Sequence, residues 1–344
     1  MLRRPPMVHP VQSYALDFDQ NIFASIKGDY AEFDKWIAKV QKDSDNRECF
    51  VVKDPDGNYA AIAILKINES DCAYGFAQPV TKISTFKVGQ EFSGSRYGEL
   101  LLKAVLQSHH DHHVDSAYVE VWDHHQPLID FLNLFGYVEA GKSTKGEVVL
   151  VKTFRPRDET LPPLKYHIRY GPPAVSTKAN VFVIPIVPRW HDQLFPECIP
   201  DDNQLPLPGF GVSTRPWGNA LRKAYLCNAS SQQMQPGDAI LFYRSSFQTV
   251  SVVGVVEQTV RTSSADEVLN LVGGRTVYGA GDIAELASHP SGVLVILFRK
   301  DRVITPAWTL TVLKDNEVLK APPQTVTKVK EAGTQWVHQQ LAAM

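Results

Sequence analysis

Apolar positions in the first half of the chain change period several times. Between Asp29 and Lys42, Phe33, Ile37 and Val40 recur at helical spacing with Trp36 on the same side. Glu48–Lys53 and Tyr59–Ile67 are β-rich runs on either side of Asp54-Pro55-Asp56-Gly57, a hairpin turn. Lys82–Val88 predicts another strand, and Tyr97–His109 a helix with Leu101, Ala104, Val105 and Ser108 along one face. Ala117–Trp122 reads as a strand, Pro127–Leu134 as a helix with its Pro in the tolerated first turn, and Glu147–Lys152 as a closing strand. This order predicts an α+β fold: a mixed sheet with flanking helices.

The second half is richer in strands, at Val181–Val187, Ala239–Arg244, Val250–Val260 and Gly292–Arg299, with a turn at Gln235-Pro236-Gly237-Asp238. Short helices fit Asn219–Leu226, Ala265–Leu271 and Thr325–Gln335, and the whole predicts a small, partly closed β-barrel. Between the halves, Phe154–Pro163 mixes proline with charge and Gly171-Pro172-Pro173 follows, a composition that suits neither a helix interior nor a central strand. The expected layout is a domain over 1–153, a linker over 154–178 and a second domain over 179–344. Charge shifts at the same place: residues 1–153 hold 16 Lys+Arg against 21 Asp+Glu, and 154–344 hold 19 against 16.

At 344 residues with 44% hydrophobic and 21% charged positions, the chain has room for two cores and lacks the bias of collagen-like, coiled-coil or disordered sequences. A net charge of −2 does not mark it as a polyelectrolyte binder. Cys49, Cys72, Cys198 and Cys227 share no metal-ligand spacing and read as isolated thiols of a reducing compartment. The N-terminus has no apolar signal region, and runs such as Ala60–Leu65 and Val293–Phe298 are far below the ~20 residues of a membrane helix. A soluble, cytoplasmic protein with no membrane partner is the expectation.

The most informative stretch runs from Ile83 to Leu102. A β-run meets a loop with glycines at 89, 94 and 98, and a helix begins at once. Glycines let backbone approach a ligand, and a helix N-terminus offers unpaired N–H groups to an anion such as a pyrophosphate. The loop is neither a Walker A loop nor a G-x-G-x-x-G dinucleotide turn.

With Ser93, Gly94, Arg96 and Gly98 in that loop, and the strand Ala117–Trp122 followed by a helix ending Leu134-Phe135-Gly136-Tyr137, residues 15–153 resemble the GNAT acetyltransferase family. The family's loop is patterned Arg/Gln-x-x-Gly-x-Gly/Ala; here those positions are Ser93, Arg96 and Gly98, of which the last matches, and Gly94 is a frequent extra glycine. The resemblance implies acetyl-CoA as acyl donor, held by Phe86, Lys87, Val88, Ser93, Gly94, Ser95, Arg96, Tyr97, Gly98 and Glu99, with Arg96 able to add charge toward a phosphate. Family members often carry a tyrosine as general acid where this chain has Leu132, beside Phe131, so no proton donor stands there. Glu120 and Glu91 are the implied candidates for a base acting on the acceptor amine. Backbone amides of splayed central strands would polarise the thioester carbonyl.

Two histidine clusters follow. His109, His110, Asp111, His112 and His113 form a run in which His109 and His113 are i,i+4, yet the helix is ending there and a solvated helix end is the expected role. No metal is expected from them. His124 and His125, after the next strand, lie where the resembled fold opens to substrate, so His124 joins the candidate bases.

In the second half, Asn219–Leu226, then Pro236-Gly237-Asp238 with the strand to Tyr243, then Val253-Gly254-Val255-Val256-Glu257 resemble the PUA-like group, nearest its ASCH and EVE members. The Gly-x-Lys-x-x-Glu-x-Arg motif of ASCH proteins is absent as such. The resemblance implies RNA or a nucleobase as ligand. Arg215, Trp217, Arg222 and Lys223, with Tyr243 and Arg244 at a strand end beside Phe242, are the candidate contacts, guanidinium for phosphate and aromatic faces for bases. Two functions then compete. One is an acetyl-CoA-dependent N-acetyltransferase acting on an RNA-linked or nucleotide-like amine. The alternative is a catalytically degenerate, acyl-CoA-sensing, RNA-binding regulator.

Overall fold

The computed structural model describes residues 8–70, 72–198, 216–230 and 234–344. The chain divides into two compact units, Met1–Arg157 and Asp158–Met344.

The first unit is built on strands β1 (Val8–Val11), β2 (Arg47–Lys53), β3 (Tyr59–Lys66), β4 (Val80–Val88), β5 (Ser116–Val121), β6 (Val138–Lys142) and β7 (Val148–Thr153), with helices α1 (Ala24–Asp29), α2 (Phe33–Lys42), α3 (Tyr97–Asp111) and α4 (Gln126–Leu134). They form one sheet in the order β1-β2-β3-β4-β5-β7-β6, antiparallel except for the central β4–β5 pair, which is parallel. The hairpin turn forms as its composition dictates: the Asp54 carboxylate accepts from the backbone N–H of Asp56 and Asn58 at 2.9 and 2.8 Å. Phe23, Phe33 and Val40 from the α1–α2 region pack on Cys49, Val51, Ile62 and Ile64 of β2 and β3. Helix α3 packs against β1–β4, and its residues Leu100, Leu101, Leu102, Ala104, Val105 and Leu106 are all buried. At its end Asp111 and His113 are exposed, in keeping with the solvated end expected, but His109 departs from it. His109 is 1% exposed against Phe154, its ring nitrogens find no hydrogen-bond partner among the described residues, and burial, with the His112 and Lys152 charges, pushes its pKa down to about 3.

The second unit carries β8 (Val181–Ile186), β9 (Arg222–Cys227), β10 (Ala239–Arg244), β11 (Thr249–Thr262), β12 (Val293–Thr309) and β13 (Thr327–Lys328). Its helices are α5 (Pro163–Tyr170), α6 (Pro188–Leu194), α7 (Pro216–Asn219), α8 (Ala265–Val272), α9 (Ala280–Ala287), α10 (Leu310–Asp315) and α11 (Glu331–Ala343). The sheet order is β13-β8-β10-β11-β12-β9, with β8–β10 parallel and the other pairs antiparallel. Its outer strands do not pair with each other, so among the described residues the expected barrel is an open mixed sheet.

Three expectations are corrected here. Asn219–Leu226 is mostly strand, because Lys223 and Tyr225 face one layer while Ala224 and Leu226 enter the core formed with α8 and α9, a tertiary demand that overrides helix propensity. The C-terminal helix starts at Glu331, after β13 has paired with β8. The stretch expected as a linker folds onto the second unit: Tyr166, His167 and Tyr170 of α5 are buried, and the Ala174 N–H donates to the buried Asp301 carboxylate at 2.8 Å. Gly237 shows why the contact needs that residue. With φ +96° it lets the turn lie so close to α5 that a Cβ would stand 2.4 Å from the Leu164 nitrogen.

Candidate active site

The distinctive feature of the first unit is where its central parallel pairing stops. Residues Val80 to Ile83 of β4 pair with Ser116 to Val119 of β5, and there the ladder ends. Strand β4 continues to Val88 held only by β3, through pairs from Ile64↔Thr85 to Ala61↔Val88, while β5 continues to Val121 held by β7. Among the described residues, the β5-facing edge of Ser84–Val88 is therefore left without a neighbouring strand. At its end, a turn at Gln90–Phe92 and Gly94 (φ +84°) bring the chain to Arg96, whose left-handed φ of +56° starts α3. The first helical bond runs from the Leu100 N–H to the Arg96 carbonyl, so the opening amides of α3 have no carbonyl within the helix. Phe131 of α4 stacks on Phe86 of β4 at 5.8 Å, and an added Cβ at Gly98 would meet the Phe131 ring at 3.5 Å, ordinary contact.

An open strand edge can accept an extended chain by strand addition, and a helix N-terminus can accept an anion. Residues 13–137 match the model of the Acetyltransferase (GNAT) family. This segment is a GNAT domain. Among solved structures, the chain is similar to an acyl-CoA N-acyltransferase from Klebsiella pneumoniae at 12% identity, over 43% of this chain and 97% of that one, with a TM-score of 0.33. A GNAT acetyltransferase from Elizabethkingia anophelis with acetyl-CoA bound gives 12% identity over 43% and 98%, TM-score 0.32. ASCH from Zymomonas mobilis gives 13% identity over 46% and 94%, TM-score 0.35. No curated protein matches the chain. The GNAT domain supports acyl-CoA-dependent acetyl transfer as the general chemistry of this unit.

Within the GNAT domain the implied donor residues gather along β4 and the loop, with one surprise. The Arg96 guanidinium donates to the Glu99 carboxylate at 2.6 Å, so its charge first neutralises an 8%-exposed acid in the opening turn of α3. Lys87 donates to Ser25 of α1, and burial lowers its pKa.

The candidate bases differ sharply. Glu120 on β5 has both oxygens engaged, accepting from Tyr74 at 2.6 Å and from Lys82 at 2.5 Å. Burial alone would raise its pKa, but those two hydrogen bonds and the Lys82 and Lys145 charges hold it below the usual carboxylate range. A carboxylate so satisfied is a weak base, ionised but already ion-paired with Lys82. Glu91 is exposed and folds back over Gly89, where a Cβ would touch its carboxylate at 2.9 Å. His124, at the turn after β5, lies 3.9 Å from Asp29. Leu132 is fully buried and Phe131 stacks on Phe86, so the position of the family's acid is a packing position.

Sequence reasoning missed the residues around Glu120. Tyr74 reaches it from the β3–β4 connection, stacked on Phe76 and edge-on to Tyr118. Nearby, Tyr30 donates to the buried Glu147 at 3.0 Å, with its ring 6.5 Å from Trp122. Burial, then the Glu147 charge and hydrogen bond, raise the Tyr30 hydroxyl above its ordinary range. The only signal for these in the sequence is residue type, because every partner is remote along the chain.

In the second unit, Arg215 lies outside the described residues, and the other candidates do not assemble into one basic face. Arg222 is locked to Glu257 by contacts of 2.9 and 3.0 Å. Lys223 is fully buried and donates to the Trp217 carbonyl. Tyr243 is 1% exposed and belongs to the core, because β10 is covered on both faces, and Trp217 packs against the opposite core. Arg244 donates to Asp192 at 2.7 Å and lies 3.7 Å over the Phe247 ring. Cationic residues do converge elsewhere: a cavity of about 590 Å³ at the start of α11 is lined by Lys178, Lys328 and Lys330, together with Asn180, Glu331 and His338.

Among the described residues, no helix is long and apolar enough to cross a membrane.

Proposed function

We propose that the chain is an N-acyltransferase that takes acetyl-CoA as donor and acetylates an RNA-linked or nucleotide-like amine. The observation that carries the donor side is the separation of β4 from β5 beyond Ile83, running into the start of α3. The pantetheine arm, an extended chain with two amides, complements the open edge of Ser84–Val88 by strand addition, and the pyrophosphate meets the opening amides of α3. The thioester then lies between the strands, where a backbone N–H stabilises the oxyanion as the amine attacks; its collapse forms the amide C–N bond, breaks the C–S bond and releases CoA as a thiolate, which leaves as such or takes a proton from water.

On the acceptor side, the Tyr74 and Tyr30 hydroxyls, which donate to the Glu120 and Glu147 carboxylates, offer oxygen lone pairs to an amine that arrives as an ammonium and loses a proton before attack. Glu91 or His124, both exposed, takes that proton through water. For the nucleic-acid part of the acceptor, support comes from the PUA-like turn Pro236-Gly237-Asp238 and from the three lysines around the α11 cavity.

The test is transfer of labelled acetyl groups from acetyl-CoA to total RNA, to aminoacylated tRNA and to RNA-depleted extract. Label in an RNA fraction supports the proposal. Label only in the depleted extract refutes the RNA-linked acceptor, and none anywhere refutes the enzyme. In that last case the second reading takes over, an acyl-CoA-sensing RNA-binding regulator, which the saturated Glu120 and the buried Leu132 favour.

A further inference from the structure

The turn after β5 brings His124 and His125 against Asp29, the last residue of α1. The His125 Nε2 lies 3.2 Å from one Asp29 oxygen, the His124 Nε2 lies 3.9 Å from the other, and the two imidazole rings are 4.3 Å apart. All three ligand atoms fall within 4.8 Å of one another. Ligands bound to one tetrahedral metal at about 2.0–2.2 Å stand roughly 3.3 Å apart, so closure needs only small rotations of side chains that are partly exposed.

We propose that Asp29, His124 and His125 form a binding site for a zinc-type divalent transition metal. The donor set decides the class of ion: two imidazole nitrogens and one carboxylate suit zinc, cobalt or nickel, whereas magnesium and calcium take oxygen ligands. Three protein ligands leave a coordination position for water or for a ligand atom. A hydrogen-bonded Asp–His contact needs one imidazole; here two converge on one carboxylate from a different part of the chain.

The location gives the site its consequence. Parallel β4 and β5 end at the same side of the sheet, β4 in the donor loop and β5 in the histidine turn. Asp29 also acts electrostatically on Lys87, near the end of β4. A bound ion ties α1 to the β5–α4 turn across the mouth of the groove, and it occupies the nitrogen that His124 would use as a base. The inference does not depend on acetyl transfer, because the site is defined by its donors.

The test is calorimetric titration of zinc chloride into the full chain stripped with a chelator, with cobalt(II) absorption as a second readout of coordination. The expected result is one tight equivalent, with the intense visible bands of four-coordinate cobalt. D29N, H124Q and H125Q each weaken binding on the order of 100-fold and abolish the cobalt bands, with the far-ultraviolet circular dichroism unchanged. Absence of a stoichiometric zinc site overturns the proposal. So does wild-type binding by all three variants, which would place the metal on the separate run His109–His113.

Discussion

Burial of His109 makes a quantitative prediction about acid stability. In the unfolded chain this imidazole titrates near 6.5, whereas in the folded chain burial pushes it down to about 3. The folded state therefore binds fewer protons, and stability is full above pH 6.5 and falls as the pH drops toward 3. At pH 5.0 the unfolded group is protonated and the folded one is not, 1.5 units below the unfolded value, which amounts to about 2 kcal/mol at about 1.36 kcal/mol per unit. At pH 7.5 the contribution is near zero. Replacing His109 by leucine keeps a side chain of similar size against Phe154 and removes two unpaired ring nitrogens, so H109L should be at least as stable as wild type at pH 7.5. Calorimetric melting of the full chain at pH 7.5 and 5.0 checks this, using the transition that the substitution moves. Wild type should lose about 2 kcal/mol more than H109L on acidification, a difference of about 4–8 °C in Tm for a domain of this size. If both proteins shift in parallel to within about 0.5 kcal/mol, the buried-neutral reading of His109 is wrong.

Three further outcomes follow from the GNAT groove. R96A removes the partner that neutralises Glu99, and acetyl-CoA should bind about tenfold more weakly by calorimetry, with R96A/E99Q recovering most of the loss; an unchanged Kd would dismiss the phosphate role of this turn. G94A places a Cβ at φ +84° in open space, so it should cost about 1–2 kcal/mol through backbone strain alone, seen as a lower Tm, whereas G98A should melt at or slightly above wild type. K82M and E120Q should show a coupling of about 1–2 kcal/mol in a double-mutant cycle, a value tempered by side-chain exposures of 27% and 20%. Because the folded pKa of Glu120 is depressed, that coupling is present at neutral pH and should shrink as the pH falls through it; additive single variants at pH 7 would refute the Lys82–Glu120 ion pair.

What could be read from the sequence was local. The turn at Asp54–Gly57 and the Gly-rich entry to α3 are signalled by neighbouring residues, and the alternation of strands and helices around them placed the central sheet. Strand β6, exposed at every position, has no apolar pattern to announce it, and β1 is defined by its pairing with β2. Strand β9 was hidden for the opposite reason: buried on both faces, it shows no alternation and is rich in good helix formers. The proline-rich, charged stretch before Val181 reads as a connector because its core contacts, such as Ala174 with Asp301, are made with residues far along the chain. The same holds for the site. Glu120 could be named from its strand, but its low basicity depends on Tyr74 and Lys82, and the histidine turn acquires its chemistry only through Asp29.

The gap between β4 and β5 also bears on how long the protein survives. A strand edge left unpaired inside a sheet is a weak point through which the domain opens, and proteolysis follows the population of such open states. A donor that lies along Ser84–Val88 closes that edge, and at about 100 times its Kd it adds about 2.7 kcal/mol to the folded state. With acetyl-CoA as the proposed donor, the protein should then be cleaved by a protease more slowly in the presence of that donor than without it.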